Sequence, residues 1–414
     1  MNRSLKKDWQ IERRNVLMSQ TNIERLLSSE TSMLHTEDNE YNPFSWYKRM
    51  RETSPVYLDP HQEIWNVFLY DDVKRVISDK DYFSSKRDDP QLLSRTVLSA
   101  DPPDHTRLRS LVNKAFTPRM VADWEPRIQA IADDLLEQVS GQPMIELVEH
   151  FSSPLPVMVI AELLGIPSSD RKQFKEWSNS IVIESSSQEE LSYAINKRNR
   201  AISELLEYFD SVIEEKRKDL KEDIISVLIQ ATENEGKLVK EELLAFCIIL
   251  LVAGNETTTN LISNAVYTFM ENKTIWEKVK QNADLVPNVI EEVLRYRSPV
   301  RALTRKVKAE TTIGGHVLKP NHTVIAWIGS ANRDEKKFSH SEDFDFSRDP
   351  NPHLAFGNGI HFCLGAPLAR LEAKIALTRL INSYSDISFQ EGYKIDPIRS
   401  PFIYGLKSLP ILVN

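Results

Sequence analysis

Glycine and cysteine are both scarce in this sequence, and each shortage narrows what the protein can be. Among 414 residues there are 12 glycines and 2 cysteines. So little glycine, beside plentiful Leu, Glu, Lys and Ala, predicts a chain whose average segment is helical. Cys247 and Cys363 lie far apart, so there is no disulfide framework and no C-x-x-C, C-x-x-C-H or zinc-type cluster. Such usage fits a reducing cytoplasm. Basic excess is missing too: the formal net charge is −8, which speaks against a general nucleic-acid binder. The opening stretch M-N-R-S-L-K-K-D-W-Q carries charge throughout and no apolar run. Neither a signal peptide nor a membrane anchor is expected there. The most apolar run, residues 243–253, reaches about half of the ~20 residues a bilayer crossing needs. It predicts a helix buried on all sides within a large domain.

What is present describes a folded globular protein, with 41% hydrophobic and 27% charged residues. Residues 1–40 are polar and charged without a clear period. Residues 54–58 and 64–69 are short β-rich runs about the Asp59-Pro60 turn, predicting a small hairpin. Residues 102–300 carry helical periodicity, punctuated at Pro118, 141–143, 165–167 and 185–187. β character returns over 307–324 and at the C-terminus around Gly405. No repeat, low-complexity block or long linker divides the chain. The expectation is a mostly α fold with small β-sheets (α+β), residues 41–414 forming one domain behind a charged extension over 1–40.

The segment F-G-N-G-I-H-F-C-L-G, residues 356–365, is the most informative. Glycines surround the one cysteine, so the backbone can take unusual angles and let a flat ligand approach. A helical pattern follows at 366–381. Cys363 therefore sits where amide N–H groups and the helix dipole favour a thiolate, the form that ligates iron. A second oddity closes the apolar run: A-G-N-E-T-T, residues 253–258, puts a carboxylate and two hydroxyls into an otherwise apolar helix. Burying polar groups is costly unless they are satisfied, and such local conflict marks functional sites. Further on, Glu292 and Arg295 stand at i and i+3. His105 and Arg109 stand at i and i+4 after D-P-P-D, a helix start with proline in its first turn.

The pattern F-x-x-G-x-H-x-C-x-G is complete, and it resembles the haem-binding signature of the cytochromes P450. The order and spacing of the other motifs, with L-L-G-I-P at 163–167, resemble bacterial members, especially Bacillus-type soluble hydroxylases of fatty acids, terpenoids and steroids. The resemblance runs from about residue 41 to 414 and implies a haem b cofactor with Cys363 as axial ligand of the iron. It further implies that Phe356 packs near the thiolate, that Gly365 completes the loop, and that His361, His105, Arg109 and Arg305 face the haem propionates. A-G-N-E-T-T resembles the family's oxygen-activating motif, where the helix opens locally. Glu256 is then the acid and Thr257 the threonine of proton delivery. Glu292, Arg295 and Arg348 look like the family's structural ion-pair network.

A monooxygenase reaction is implied, hydroxylating a hydrophobic small molecule with O₂ and two externally supplied electrons. No glycine-rich dinucleotide fingerprint occurs. Electrons are therefore expected from a ferredoxin- or flavodoxin-type donor with its NAD(P)H reductase. Basic residues such as Arg109, Lys114, Arg119, Arg370 and Lys374 are candidates for a docking face or for ordinary solvated cations. Leu98, Ile249, Val252, Ala253, Val300, Leu303 and Ile403 are candidate pocket residues, and steroid, terpenoid and fatty acid stay open as substrates. A cytoplasmic monomer without a membrane anchor or nucleic-acid partner is expected. The alternatives are a peroxide-driven hydroxylase and a haem sensor or carrier. Both sit poorly with the Glu256–Thr257 pair.

Overall fold

The long helix Lys240–Glu271 shows how this chain builds its interior. Glu241 and Glu242 occupy its first turn, where the helix dipole favours negative charge. Glu242 also reaches back to accept the Val239 N–H at 3.0 Å, one half of a capping box. Residues 243–248 are then buried on every side. By length and composition this helix could cross a membrane, yet 61% of its most apolar window is buried inside the protein, as in a core helix. In the second half, several buried polar side chains are tolerated because they have partners. Thr259 Oγ1 donates to Asn255, Ser263 Oγ pairs with Ser152, and Asn264 receives Tyr41 while donating to the Arg297 and Tyr404 carbonyls.

The computed structural model of the chain describes residues 41–60, 62–86, 96–181, 188–235 and 238–414. These gather into two compact units. One holds Ser84–Ala115 and Ile160–Ala253 and is helical. Helix Arg171–Ile181 buries Phe174, Ser178 and Ile181, an i, i+4, i+7 stripe, and Phe174 meets Phe209 of helix Gln188–Lys216 edge to face at 5.8 Å. Lys216 at the end of that helix pairs with Asp223 at 2.6 Å, both nearly buried.

The other unit holds residues 41–83, Phe116–Val159 and Gly254–Asn414. Its hairpin, Val56–Asp59 and Ile64–Val67, sets Val56 opposite Val67. Ile64–Val67 pairs in parallel with Thr323–Ala326, which pairs antiparallel with Leu303–Val307. Helix Tyr70–Ser78 lays Tyr70, Val73, Val76 and Ile77 on this sheet, against Val56, Trp65, Val67, Val307 and Val324. Each such side chain, fully buried, is worth about 1.5–3 kcal/mol. A second sheet has Pro410–Val413 between Met144–Glu146 and Ile387–Phe389. The fold is mostly helical with small sheets.

Local expectations differ from this in two places. Residues 144–152 carry a strand, Met144–Glu146, and a π-helical turn, Val148–Ser152, instead of continuous helix. The partner of that strand is Pro410–Val413, so no local period betrays it. The helix after D-P-P begins at Asp104, leaving both prolines outside its first turn. The punctuation expected at 185–187 lies outside the described residues.

Helix Val286–Tyr296 carries Glu292 and Arg295, both fully buried. Arg295 donates all five N–H groups: Nε and Nη2 to Glu292 at 2.9 and 2.7 Å, and the remaining three to the carbonyls of Asn332, Ser341 and Asp343. Glu292 also accepts from Asp345 N and Asn351 Nδ2, and Arg348 Nε lies 3.6 Å from it. The network ties this helix to the irregular segment 332–351.

Candidate active site

Cys363 lies in an irregular loop ahead of helix Ala366–Ser383, whose N-cap is Gly365. The loop closes on itself where the Cys363 N–H donates to the Phe356 carbonyl at 2.8 Å. Gly357 and Gly359 make that closure possible, with φ of +75° and +72° that side-chain-bearing residues rarely adopt. Gly359 in addition sits on Ser78, so that a Cβ there would meet the Ser78 backbone at 3.1 Å. The outcome is a Cys363 exposed at the surface of the protein atoms, with Phe362 exposed beside it. Around Gly365 nothing lies within 4 Å of where a Cβ would stand. Phe356 and His361 are half-buried.

Cys247, by contrast, is fully buried in the long helix, and burial pushes its thiol well up. Of the two cysteines, only Cys363 offers its thiol to a ligand. One accessible thiol, flanked by glycines and by open space, suits a haem iron taking a single protein thiolate.

The remaining site residues are distributed as follows. Arg305 is buried on strand Leu303–Val307, with Nη1 donating to the Thr304 carbonyl at 2.9 Å. His105 is buried on helix Asp104–Ala115 and Arg109 is half-buried one turn on. Both belong to the helical unit. Val300 and Ile403 face one another in an isolated antiparallel bridge, and Leu303 packs against the sheet core. Leu98 is 46% exposed. Segments 87–95 and 182–187 lie outside the described residues.

On the long helix, burial stops abruptly. Ala253 is exposed, while Ile249, Val252, Gly254, Glu256 and Thr257 are half-buried. Positions 249, 253, 256 and 257 follow an i, i+4, i+7, i+8 spacing and so share one face. Protein covers that face only in part. The helix stays unbroken through Gly254, where the family resemblance implies an opening. One glycine costs about 1 kcal/mol in a helix, and the burial of the residues on either side, Leu251 and Leu261 among them, outweighs that.

Sequence reading missed three features here. Asn260, fully buried, donates to Glu256 Oε1 at 3.4 Å and packs so close to Gly405 that its side-chain amide leaves no room for a Cβ there. Its i+4 spacing from Glu256 was the available signal. Arg370, a candidate docking cation, also makes two hydrogen bonds to Glu291, of 2.7 and 2.8 Å. Arg119 and Lys374 are exposed.

The third feature is Glu372, further along the cysteine helix. It is 2% exposed, and its Oε2 has no partner among the described residues. Burial pushes its carboxyl up to about 8. Folded protein thus keeps this proton through neutral pH, whereas the unfolded chain releases it near the ordinary glutamate value of 4.5. The unfolded state loses protons first, so stability falls as pH climbs from about 4.5 to about 8. Glu372→Gln is expected to raise the thermal midpoint by a few degrees at pH 8 and to leave it nearly unchanged at pH 5. An equal offset at both pH values would show that Glu372 does not titrate in this range.

Known proteins resemble most of the chain. The family model of the cytochromes P450 matches residues 31–414. The cytochrome P450 YjiB of Bacillus subtilis is 50% identical over 376 residues, covering 90% of this chain and 94% of its own length. Cytochrome P450 109 of Bacillus spizizenii is 44% identical over 384 residues, 92% of this chain and 94% of its own. The crystal structure of CYP109E1 from Bacillus megaterium in complex with testosterone matches with a TM-score of 0.87 at 49% identity, over 92% of this chain and 100% of that one. With a matching fold, an accessible cysteine in the signature loop and likeness along nearly its whole length, the chain belongs to the cytochrome P450 family of haem b monooxygenases.

Proposed function

We propose that this protein hydroxylates a steroid-like hydrophobic molecule in the cytoplasm, with Cys363 as the iron ligand and Glu256 and Thr257 as the proton-handling pair. The observation that carries this reading is the half-buried helix face from Ile249 to Thr257, apolar at one end and acidic at the other. The steroid class is supported by the likeness to CYP109E1, which was crystallised with testosterone. The family match over residues 31–414 supports one haem domain from about residue 41 onward.

When bound, the haem supplies oxygen activation and the insertion of one oxygen atom into a C–H bond. Cys363 provides the electron-rich thiolate. Arg305, His361, His105 and Arg109 are the candidates to hold the propionates by charge-assisted hydrogen bonds. Ile249, Val252 and Ala253 offer apolar surface to the substrate; Val300, Leu303, Ile403 and Leu98 are the other candidates for that role. Glu256, steadied by the Asn260 amide at 3.4 Å, holds a proton near Thr257. Electrons come from a ferredoxin- or flavodoxin-type donor with its reductase.

Two measurements test the proposal. In spectral titration against steroids, terpenoids and fatty acids, steroids are expected to bind most tightly; preference for fatty acids would overturn the substrate class. Thr257→Ala is expected to keep haem content, CO spectrum and substrate affinity. A positioned proton donor is worth about 10²–10⁴-fold, and water replaces part of that. Product per reductant consumed is therefore expected to fall roughly tenfold, with peroxide released instead. Glu256→Gln should slow overall turnover. Unchanged coupling in Thr257→Ala would mean that protons arrive by another route.

A further inference from the structure

Glu291 and Glu292 are neighbours on helix Val286–Tyr296, yet they serve different places. Glu292 faces the buried network of Arg295. Glu291 faces the cysteine loop. Its two oxygens take Arg370 Nε and Nη2 at 2.7 and 2.8 Å, and Oε2 also lies 3.1 Å from His353 Nε2. His353 Nδ1 accepts the Ala355 N–H at 3.3 Å, which leaves Nε2 to carry the proton toward the carboxylate. Burial alone would raise the Glu291 carboxyl, but the hydrogen bonds from Arg370 and His353 prevail and hold it down at about 2.

Both partners of Glu291 bear on one aromatic ring. The Arg370 guanidinium carbon stands 4.5 Å from the centroid of Phe356, and the His353 ring stands 6.1 Å from it. Phe356 in turn accepts the Cys363 N–H through its carbonyl. We infer that Arg370, Glu291 and His353 form a clamp on Phe356 that positions Cys363 and keeps its sulfur in ligating geometry. The inference rests on the haem-thiolate reading of Cys363. Arg370 comes from helix Ala366–Ser383 and Glu291 from helix Val286–Tyr296, so the loop is held between two helices by a planar fork. A lysine cannot reproduce that fork.

The test uses purified holoprotein, reduced under CO, and follows the rate at which the red-shifted Soret band of thiolate ligation gives way to the unshifted band at fixed temperature. Arg370→Gln and Glu291→Gln are each expected to speed that conversion roughly threefold, the size suited to a partly exposed ion pair. The double variant should be no faster than either single one, because breaking either end frees the ring. Arg379→Gln is the control: Arg379 lies on the same helix and pairs with Asp133 at 3.0 Å away from the loop, and its rate should match wild type. If Arg370→Gln yields no soluble protein, Arg370→Lys, which keeps the charge and loses the fork, carries the same expectation. Wild-type rates in both single variants, with haem potentials displaced in opposite directions, would reduce the pair to a local electric field and overturn the clamp. Additive effects in the double variant would overturn it as well. A wild-type protein that never shows the red-shifted band would sink the thiolate reading itself, and the clamp with it.

Discussion

Cys363→Ala is expected to yield a folded protein that has lost the red-shifted CO band and all hydroxylation, while Cys247→Ala keeps both. The two cysteines differ in everything that governs ligation. Cys363 is exposed, in a loop whose glycines leave room beside it, and its backbone is tied to Phe356. Cys247 sits fully buried within the long helix, a small apolar residue in effect. Removing its sulfur leaves a cavity of one heavy atom and should cost about 1 kcal/mol. Acid–acetone extraction should release the haem from wild type, since no C-x-x-C-H is available for covalent attachment. CO-difference spectra and product formation with a reconstituted redox chain check the rest. Normal turnover without Cys363 would overturn the ligand assignment.

Arg295→Ala is expected to cost about 3–5 kcal/mol, since removing one member leaves a buried, uncompensated charge. Total stability of a folded protein is about 5–15 kcal/mol, so most of this variant should accumulate misfolded or without haem. The geometry explains the size. Arg295 satisfies Glu292 and three carbonyls at once, where both side chains have 0% exposure. After the substitution Glu292 keeps Asp345 N and Asn351 Nδ2, with Arg348 at 3.6 Å. Replacing both charges, as Glu292→Leu with Arg295→Leu, removes the stranded carboxylate and should recover part of the loss. Denaturant midpoints of the variants decide this. If the single and double variants were equally destabilised, the cost would lie in the lost carbonyl contacts and not in the stranded charge.

Legibility in the sequence followed the range of the interactions involved. The hairpin at 56–67, the long helix and the cysteine loop are coded by neighbours in the chain: a turn, an acidic first turn ahead of an apolar run, and glycines that permit positive φ. Each was visible for that reason. The strand Met144–Glu146 was not, because its partner is Pro410–Val413 and nothing local demands an extended backbone. Nor was the link of Glu291 to His353 and Arg370, which are separated from it by 62 and 79 positions. Three polar residues scattered over three segments have no spacing to read. Asn260 lay within reach, one helical turn after Glu256, but its value depends on the approach of Gly405, which only the folded chain supplies.

The parallel pairing of Ile64–Val67 with Thr323–Ala326 bears on how the protein comes to be made. Trp65 and His322, hydrogen-bonded across it, are 257 positions apart. At a synthesis rate of about 5–20 residues per second, roughly 13–50 s pass between their emergence from the ribosome. Throughout that interval the hairpin can form and helix Tyr70–Ser78 can cover one of its faces. The outer edge of Ile64–Val67, however, keeps a row of unpaired N–H and C=O groups, an open template for another nascent chain. Expression yield should therefore depend on how fast residues 65–323 are translated and on chaperone supply during that window, even when the finished protein is stable. Contacts so distant in sequence also form late during refolding. Dilution and low temperature should help recovery of this protein from denaturant.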